Sequence, residues 1–190
     1  MKTGYYVSLH AEILGNQVIP SCENIIDSSR NPILLLRAKR AGIPTMPCIV
    51  TDSVKKIAAE LGFPVIVYAV NPFIHEGYRV ANNQTALYRA VKSLGMNYKF
   101  AVCAQPLKGE MYTYKSFFGN CEDPDGNTIA ENVYKLFQIP ICQLHIQKID
   151  GKAYLSGLQA IEENMLVTAD VKRISKEVLL LSMQGDHISG

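Results

Sequence analysis

The chain has 190 residues, 48% of them hydrophobic and 19% charged, with a formal net charge of +2. That composition fits an ordinary globular protein, one domain or two small lobes around a shared core. So small a charge gives no electrostatic case for nucleic acid or an anionic membrane as a partner. Five cysteines (Cys22, Cys48, Cys103, Cys121 and Cys142) are scattered without a CxxC pair, which points to free thiols in a reducing compartment and away from a disulfide or zinc framework. The N-terminus carries no long apolar run of the signal-peptide kind, and the longest apolar runs, such as Val178–Leu181, are far too short to span a bilayer. A cytoplasmic protein is expected.

In chain order, residues 4–14 predict a helix packed by Tyr6, Leu9 and Ile13 and stopped at Gly15, followed by a short strand at Gln17–Ile19. Ser21 to Ser29 is polar apart from Ile25 and Ile26. Asn31-Pro32 opens a helix ending near Gly42, with Pro32 in the first turn where its missing N–H costs nothing. Its basic end, Arg37 to Arg40, reads as a solvated face that complements the helix dipole. Met46–Val50 predicts a strand. Asp52 or Ser53 then caps a helix with Val54, Ile57, Ala58 and Leu61 on one face, stopped at Gly62. Phe63 to Val67 follows as a buried strand, and Asn71-Pro72 and His75-Glu76-Gly77 punctuate a loop.

Thr85–Leu94 predicts an amphipathic helix, and Lys99–Ala104 and Tyr112–Phe118 predict strands. Gly119 to Asn127 contains Asp-Pro and Asp-Gly turns and reads as a loop, with Thr128 or Asn127 capping the next helix. Ile141–Ile149 alternates apolar and polar residues in strict period two. Asp150-Gly151 is a strong hairpin turn, and Ala153–Leu158 returns from it. A last helix covers Ala169–Met183. The fold class expected is α+β, a mixed sheet with helices packed on it and a C-terminal β-hairpin plus helix. Residues 1–190 read as a single module, with a division into lobes 1–95 and 96–190 left open.

The order GIPT (42–45), helix, LGFPVIV (61–67), then a loop with a glycine resembles the first part of an ATP-grasp domain of the RimK-type carboxylate–amine ligases. Residues 4–22, which contain GYYVSLHAEILGNQVIPS, together with residues 110–166, resemble more specifically the RimK-like ATP-grasp N-terminal domain, while residues 29–95 resemble an ATP-grasp lobe. The resemblance implies that Tyr68, Gly77, Arg79, Gln105 and Lys108 occupy cofactor-binding positions. Gln105-Pro106 falls on the hinge whose backbone contacts a purine. It also implies charged machinery that this chain lacks. Asn31 and Tyr68 stand where the family has phosphate lysines, His145 where it has an acid, and Gly157 and Gln159 where it has a glutamate and an asparagine.

ATP with magnesium demands cations and hard oxygen ligands, so two expectations follow. The first is an accessory, non-catalytic module of this neighbourhood that binds a separate ATP-grasp ligase, a peptide or a small amino-acid-like ligand, with homo-oligomer formation left open. The alternative is an ATP-dependent carboxylate–amine ligase using ATP and magnesium through Lys39, Lys108, Glu162 and Asn164. Other constellations are weaker. His10 reads as structural or solvated, Asp123, Asp125 and Asn127 as a turn and not a calcium loop, and Cys103 as inert.

Overall fold

A computed structural model of the chain describes residues 3–70 and 77–185. The expected turns at Asn71-Pro72 and His75-Glu76 lie outside them. Three helices open the chain: α1 (Thr3–Ile13), α2 (Cys22–Ser29) and α3 (Asn31–Arg40). There follow β1 (Ile49–Thr51), α4 (Val54–Leu61), β2 (Val65–Ala69), β3 (Tyr78–Ala81), α5 (Gln84–Leu94) and β4 (Val102–Pro106). The remainder comprises β5 (Glu110–Phe117), α6 (Pro124–Phe137), β6 (Ile141–Ile149), β7 (Lys152–Gln159), a 3₁₀ turn (Glu163–Met165) and α7 (Thr168–Gly185). Among the described residues no helix is long and apolar enough to cross a membrane.

The α+β architecture is present, and its strands divide between two antiparallel sheets instead of one mixed sheet. One has the order β1-β4-β2-β3 and the other β5-β6-β7. In the first sheet, alternate residues separate two cores. Val65, Val67, Ala69, Val102 and Ala104 pack under α4 and α5 with Ile57, Leu87 and Val91, each valine, leucine or isoleucine contributing about 1.5–3 kcal/mol on burial. Ile66, Tyr68 and Cys103 point the other way and join the core shared with α3, α6 and the second sheet. Helix α6 covers the outer face of that sheet, setting Ile129, Ala130, Val133 and Phe137 among Leu144, Ile146 and Leu155.

Several local expectations change for identifiable reasons. Residues 17–19 form no strand, while 22–29 is helical because Ser21 Oγ accepts the Asn24 N–H as an N-cap. Strand β1 starts only at Ile49. The preceding GIPT segment pairs with β7 instead, the Leu155 N–H donating to Pro44 O (2.8 Å) and the Met46 N–H to Leu155 O (3.1 Å). Helix α6 begins well before the expected start at Thr128 or Ile129, because Asp123 is its N-cap and Pro124 its first residue. Arg37 is not merely solvated. It pairs with Asp27 (2.7 Å) and lies 4.8 Å from the centre of the Phe137 ring. Tyr6 and Ile13 on α1 are exposed, not packed.

Gly119 fixes the approach of the β5 end to α6. Its φ is +79°, and a Cβ there would sit 2.9 Å from Tyr134 Cβ and 3.2 Å from Glu131 Cα. Gly119→Ala therefore meets both a left-handed backbone and the helix wall. A loss of at least about 2 kcal/mol is expected in denaturant unfolding.

Candidate functional site

The space between the two sheets is where the polar residues of the fold converge. Strand β6 presents Cys142, Leu144 and Ile146 to α6 and its other face, Gln143, His145 and Gln147, to the first sheet. All three of these polar residues are buried. A sequence alternation that ordinarily marks a half-solvated strand here marks a strand buried on both faces. Strand β7 pairs His145 with Gly157 but Ile146 with Leu155, which leaves Ser156 as the extra residue of a β-bulge. Bulges redirect groups out of the ladder, and this one turns Ser156 toward the first sheet.

Ser156 collects most of the polar contacts there. Its hydroxyl donates to Gln105 Oε1 (2.7 Å) and accepts from the Tyr68 hydroxyl (3.2 Å). Its carbonyl accepts from Gln105 Nε2 (2.7 Å) and Asn31 Nδ2 (3.1 Å). Beside it, the Tyr68 and His145 rings stack at 5.8 Å, and Tyr78 meets His145 edge-on at 4.9 Å. A Cβ on Gly157 would lie 2.8 Å from the Tyr68 ring, so the glycine lets that ring lie against β7. Burial pushes the Tyr68 phenol well above its ordinary pKa, partly offset by Ser156, and it pushes the His145 imidazole down to about 4. Both groups are therefore neutral near pH 7. Two buried polar atoms on this cluster, Asn31 Oδ1 and His145 Nδ1, have no hydrogen-bond partner among the described residues.

At the end of β4 the chain passes through Pro106, Leu107 and Lys108. The Gln147 amide bonds this segment at two points: its Nε2 donates to Pro106 O (3.2 Å) and its Oε1 accepts the Lys108 N–H (3.2 Å). A donor and an acceptor side by side have the pattern that an adenine edge offers to a backbone.

Of the residues singled out from sequence, Tyr68 and Gln105 come together through Ser156. Gly77, with φ +85°, approaches Gln159, whose Oε1 would be 3.5 Å from a Cβ there. Gln159 in turn donates to Gln143. Arg79 is exposed on the edge strand β3 and donates to Tyr78 O (3.4 Å), and Lys108 contributes its backbone while its side chain is exposed. Glu162, Glu163 and Asn164 are exposed beyond the end of β7, and the register keeps Gly157 opposite His145. Sequence reading missed Ser156, whose part depends on a bulge, and Gln147, hidden in a polar alternation. It also missed Lys115, which the register puts on the cleft-side face of β5 and which Asp170 of α7 holds at 2.7 Å. Among the described residues no three His, Cys, Asp or Glu side chains are grouped to hold a metal ion. Outside the cleft, a cavity of about 350 Å³ is lined by Asp125, Thr128, Asn132, Lys152 and Tyr154 among others.

The RimK-like ATP-grasp N-terminal domain family matches residues 1–177. The chain belongs to that family. No curated protein matches it. Among solved structures, this RimK-like domain is similar to a RimK domain protein ATP-grasp from Sphaerobacter thermophilus (TM-score 0.69, 13% identity, covering 91% of this chain and 73% of that one). It is also similar to the D-alanine–D-alanine ligase of Bacillus anthracis (TM-score 0.71, 14% identity, 97% and 77% covered). A third similar structure is the ATP-grasp ligase PsnB complexed with a minimal precursor (TM-score 0.58, 18% identity, 85% and 62% covered). At these identities the likeness is one of fold.

The site makes two measurable demands on stability. Ser156→Ala leaves Gln105 Oε1 and the Tyr68 hydroxyl buried without their partner, and a loss of roughly 2–4 kcal/mol is expected by denaturant unfolding. For His145, an unfolded imidazole titrates near 6.5 while the folded one titrates at about 4, so the unfolded state binds more protons between those values. Stability therefore falls as pH drops from about 6.5 to 4, by about 3 kcal/mol in total, and this contribution is flat outside that window. In His145→Phe, which keeps an aromatic ring against Tyr68, the same pH series of unfolding curves is expected to lose most of that slope.

Proposed function

We propose that this chain is an accessory, non-catalytic ATP-grasp-fold module that binds a peptide or amino-acid-like ligand, or a separate ATP-grasp ligase, and does not carry out phosphoryl transfer. The observation that carries the reading is the engagement of Gln147 with Pro106 O and the Lys108 N–H, because these are the hinge backbone groups a purine would need. The neighbouring groups support it. Tyr68 and His145 are uncharged near neutrality and cannot balance a triphosphate. The remaining unpartnered atoms, Asn31 Oδ1 and His145 Nδ1, suit a small neutral group. The cavity beside α6 supports the ligand half of the proposal. Lys152 offers a cation for a carboxylate, and Thr128 and Asn132 offer hydrogen bonds. The similarity to PsnB, a ligase also solved with a precursor peptide, makes peptides the first class to try.

Titration calorimetry of the full chain tests this directly. With ATP and magnesium no heat of micromolar binding is expected, whereas amino acids or short peptides are expected to bind, and Lys152→Glu to weaken them. Magnesium-dependent micromolar binding of ATP, with amino-acid-dependent release of ADP, would overturn the proposal in favour of an ATP-dependent carboxylate–amine ligase.

A further inference from the structure

Three polar side chains form one row across the second sheet. Gln143 of β6 pairs with Lys115 of β5 on one side and with Gln159 of β7 on the other. Paired residues share a face of a sheet, so the row lies on the cleft side, two residues along β6 from His145. Gln159 donates its amide to Gln143. The other two donors, the Lys115 ammonium and the Gln143 amide nitrogen, both end on one short stretch of chain, residues 165–170. Lys115 Nζ donates to Met165 O (2.6 Å) and to Asp170 Oδ2 (2.7 Å), while Gln143 Nε2 donates to Met165 Sδ (3.6 Å). A thioether is a weak acceptor. Gln143 is only 7% exposed, so its N–H is shut away from water facing a sulfur where an oxygen would serve better. A cation and a buried amide N–H on adjacent strands are the donor set for the two oxygens of one carboxylate.

The element that supplies Asp170 is lightly held. Asp170 stands in the first turn of α7, where its Oδ2 also accepts the Val167 N–H (3.1 Å). Among the described residues, neither hydrophobic core includes a side chain of α7, and Val171, Val178, Leu180 and Leu181 along it are exposed. Its contacts with the sheet include the Lys115–Asp170 pair, whose side chains are 33% and 14% exposed, and Arg173, 5.7 Å from the centre of the Phe117 ring. Part-exposed ion pairs hold weakly, so another carboxylate can compete for Lys115.

We propose that Lys115 and Gln143 anchor a carboxylate-binding site at the mouth of the cleft, and that Asp170 is its built-in occupant, displaced when an acidic ligand lifts the first turn of α7. One oxygen of the incoming carboxylate accepts from Lys115 Nζ and the other from Gln143 Nε2, as Met165 leaves with the turn. Asp170 passes to solvent, so the exchange costs no net charge in the cleft. A single carboxylate brings the one negative charge that Lys115 balances, whereas a phosphate brings more than its neutral neighbours can match. The site is separate from the cavity beside α6 and stands whether or not that cavity binds a ligand.

The test is a titration of the full chain followed by amide NMR, read at Lys115 and Gln143 and separately at Thr128 and Asn132 beside α6. The probes are N-acetylglutamate amide (a peptide-like carboxylate), glutarate (a free one) and inorganic phosphate. Asp170→Asn keeps an acceptor for the Val167 N–H and removes the competing charge. It is expected to bind a carboxylate probe roughly fivefold tighter than the unmodified chain, the range for giving up a part-exposed ion pair. Adding Lys115→Met to Asp170→Asn is expected to abolish that binding. Preference for N-acetylglutamate amide supports the site with a peptide as its ligand, and preference for glutarate supports it with a small dicarboxylate. In the unmodified chain, whatever the variants' folding, a saturating carboxylate probe is expected to speed hydrogen exchange at the amides of residues 171–176. The proposal is overturned if Asp170→Asn binds no tighter, if the double variant binds as well as Asp170→Asn, if phosphate is preferred to both carboxylates, or if exchange in α7 does not change. Shifts confined to Thr128 and Asn132 would overturn it too, while leaving the function proposed above standing.

Discussion

The molecule depends on one irregularity in a β-ladder. Because β7 carries an extra residue at Ser156, a hydroxyl and a carbonyl that would otherwise serve their own sheet are presented to the other one. Gln105 of β4 then grips Ser156 at both points, Tyr68 of β2 bonds its hydroxyl, and Asn31 at the start of α3 bonds its carbonyl. Three elements of one half are thereby anchored to a single residue of the other. A buried polar network of this kind has value only if its members are satisfied, and here they are satisfied mainly by one another. The Pro44–Met46 segment, paired with Leu155 next to the bulge, reinforces the same junction.

That junction decides what the cleft can do. The fold is shared with the D-alanine–D-alanine ligase of Bacillus anthracis and with the ATP-grasp ligase PsnB, yet fold alone assigns no chemistry. The groups that line the space here are amides, hydroxyls, two tyrosines and one imidazole, and burial holds Tyr68 and His145 neutral. Charge is present nearby but committed elsewhere. Lys115 is held by Asp170, and on the opposite face of the second sheet Lys148 lies between Asp123 and Asp125. The Lys148 cluster also stands over the Tyr112 and Tyr114 rings. It acts as a clasp between β6 and the start of α6, because Asp123 is both the partner of Lys148 and the N-cap of the helix.

Local signals were legible wherever a single mechanism governed them. Ser53 as a cap, Gly62 as a stop, the amphipathic face of α5 and the Asp150-Gly151 hairpin all came from short-range chemistry and appear as expected. Local reading failed where two mechanisms share a vocabulary. Asp-Pro-Asp-Gly is turn chemistry and also helix-start chemistry, and packing of Ile129, Val133 and Phe137 on the second sheet favours the helix. Met46 looks like the beginning of β1, but the edge of β7 offers the 44–46 segment backbone partners first.

From the sequence alone came the α+β class, the family resemblance in residues 4–22 and 110–166, and the replacement of expected charges by Asn31, Tyr68 and His145, because those are matters of residue type and short spacing. Only the tertiary structure decided that the polar side of β6 is buried and that Ser156 and not Tyr68 is the centre of the cluster. Both depend on strand register across long separations. A shift of one residue exchanges the two faces of a strand, and no local pattern records which neighbour a strand will find.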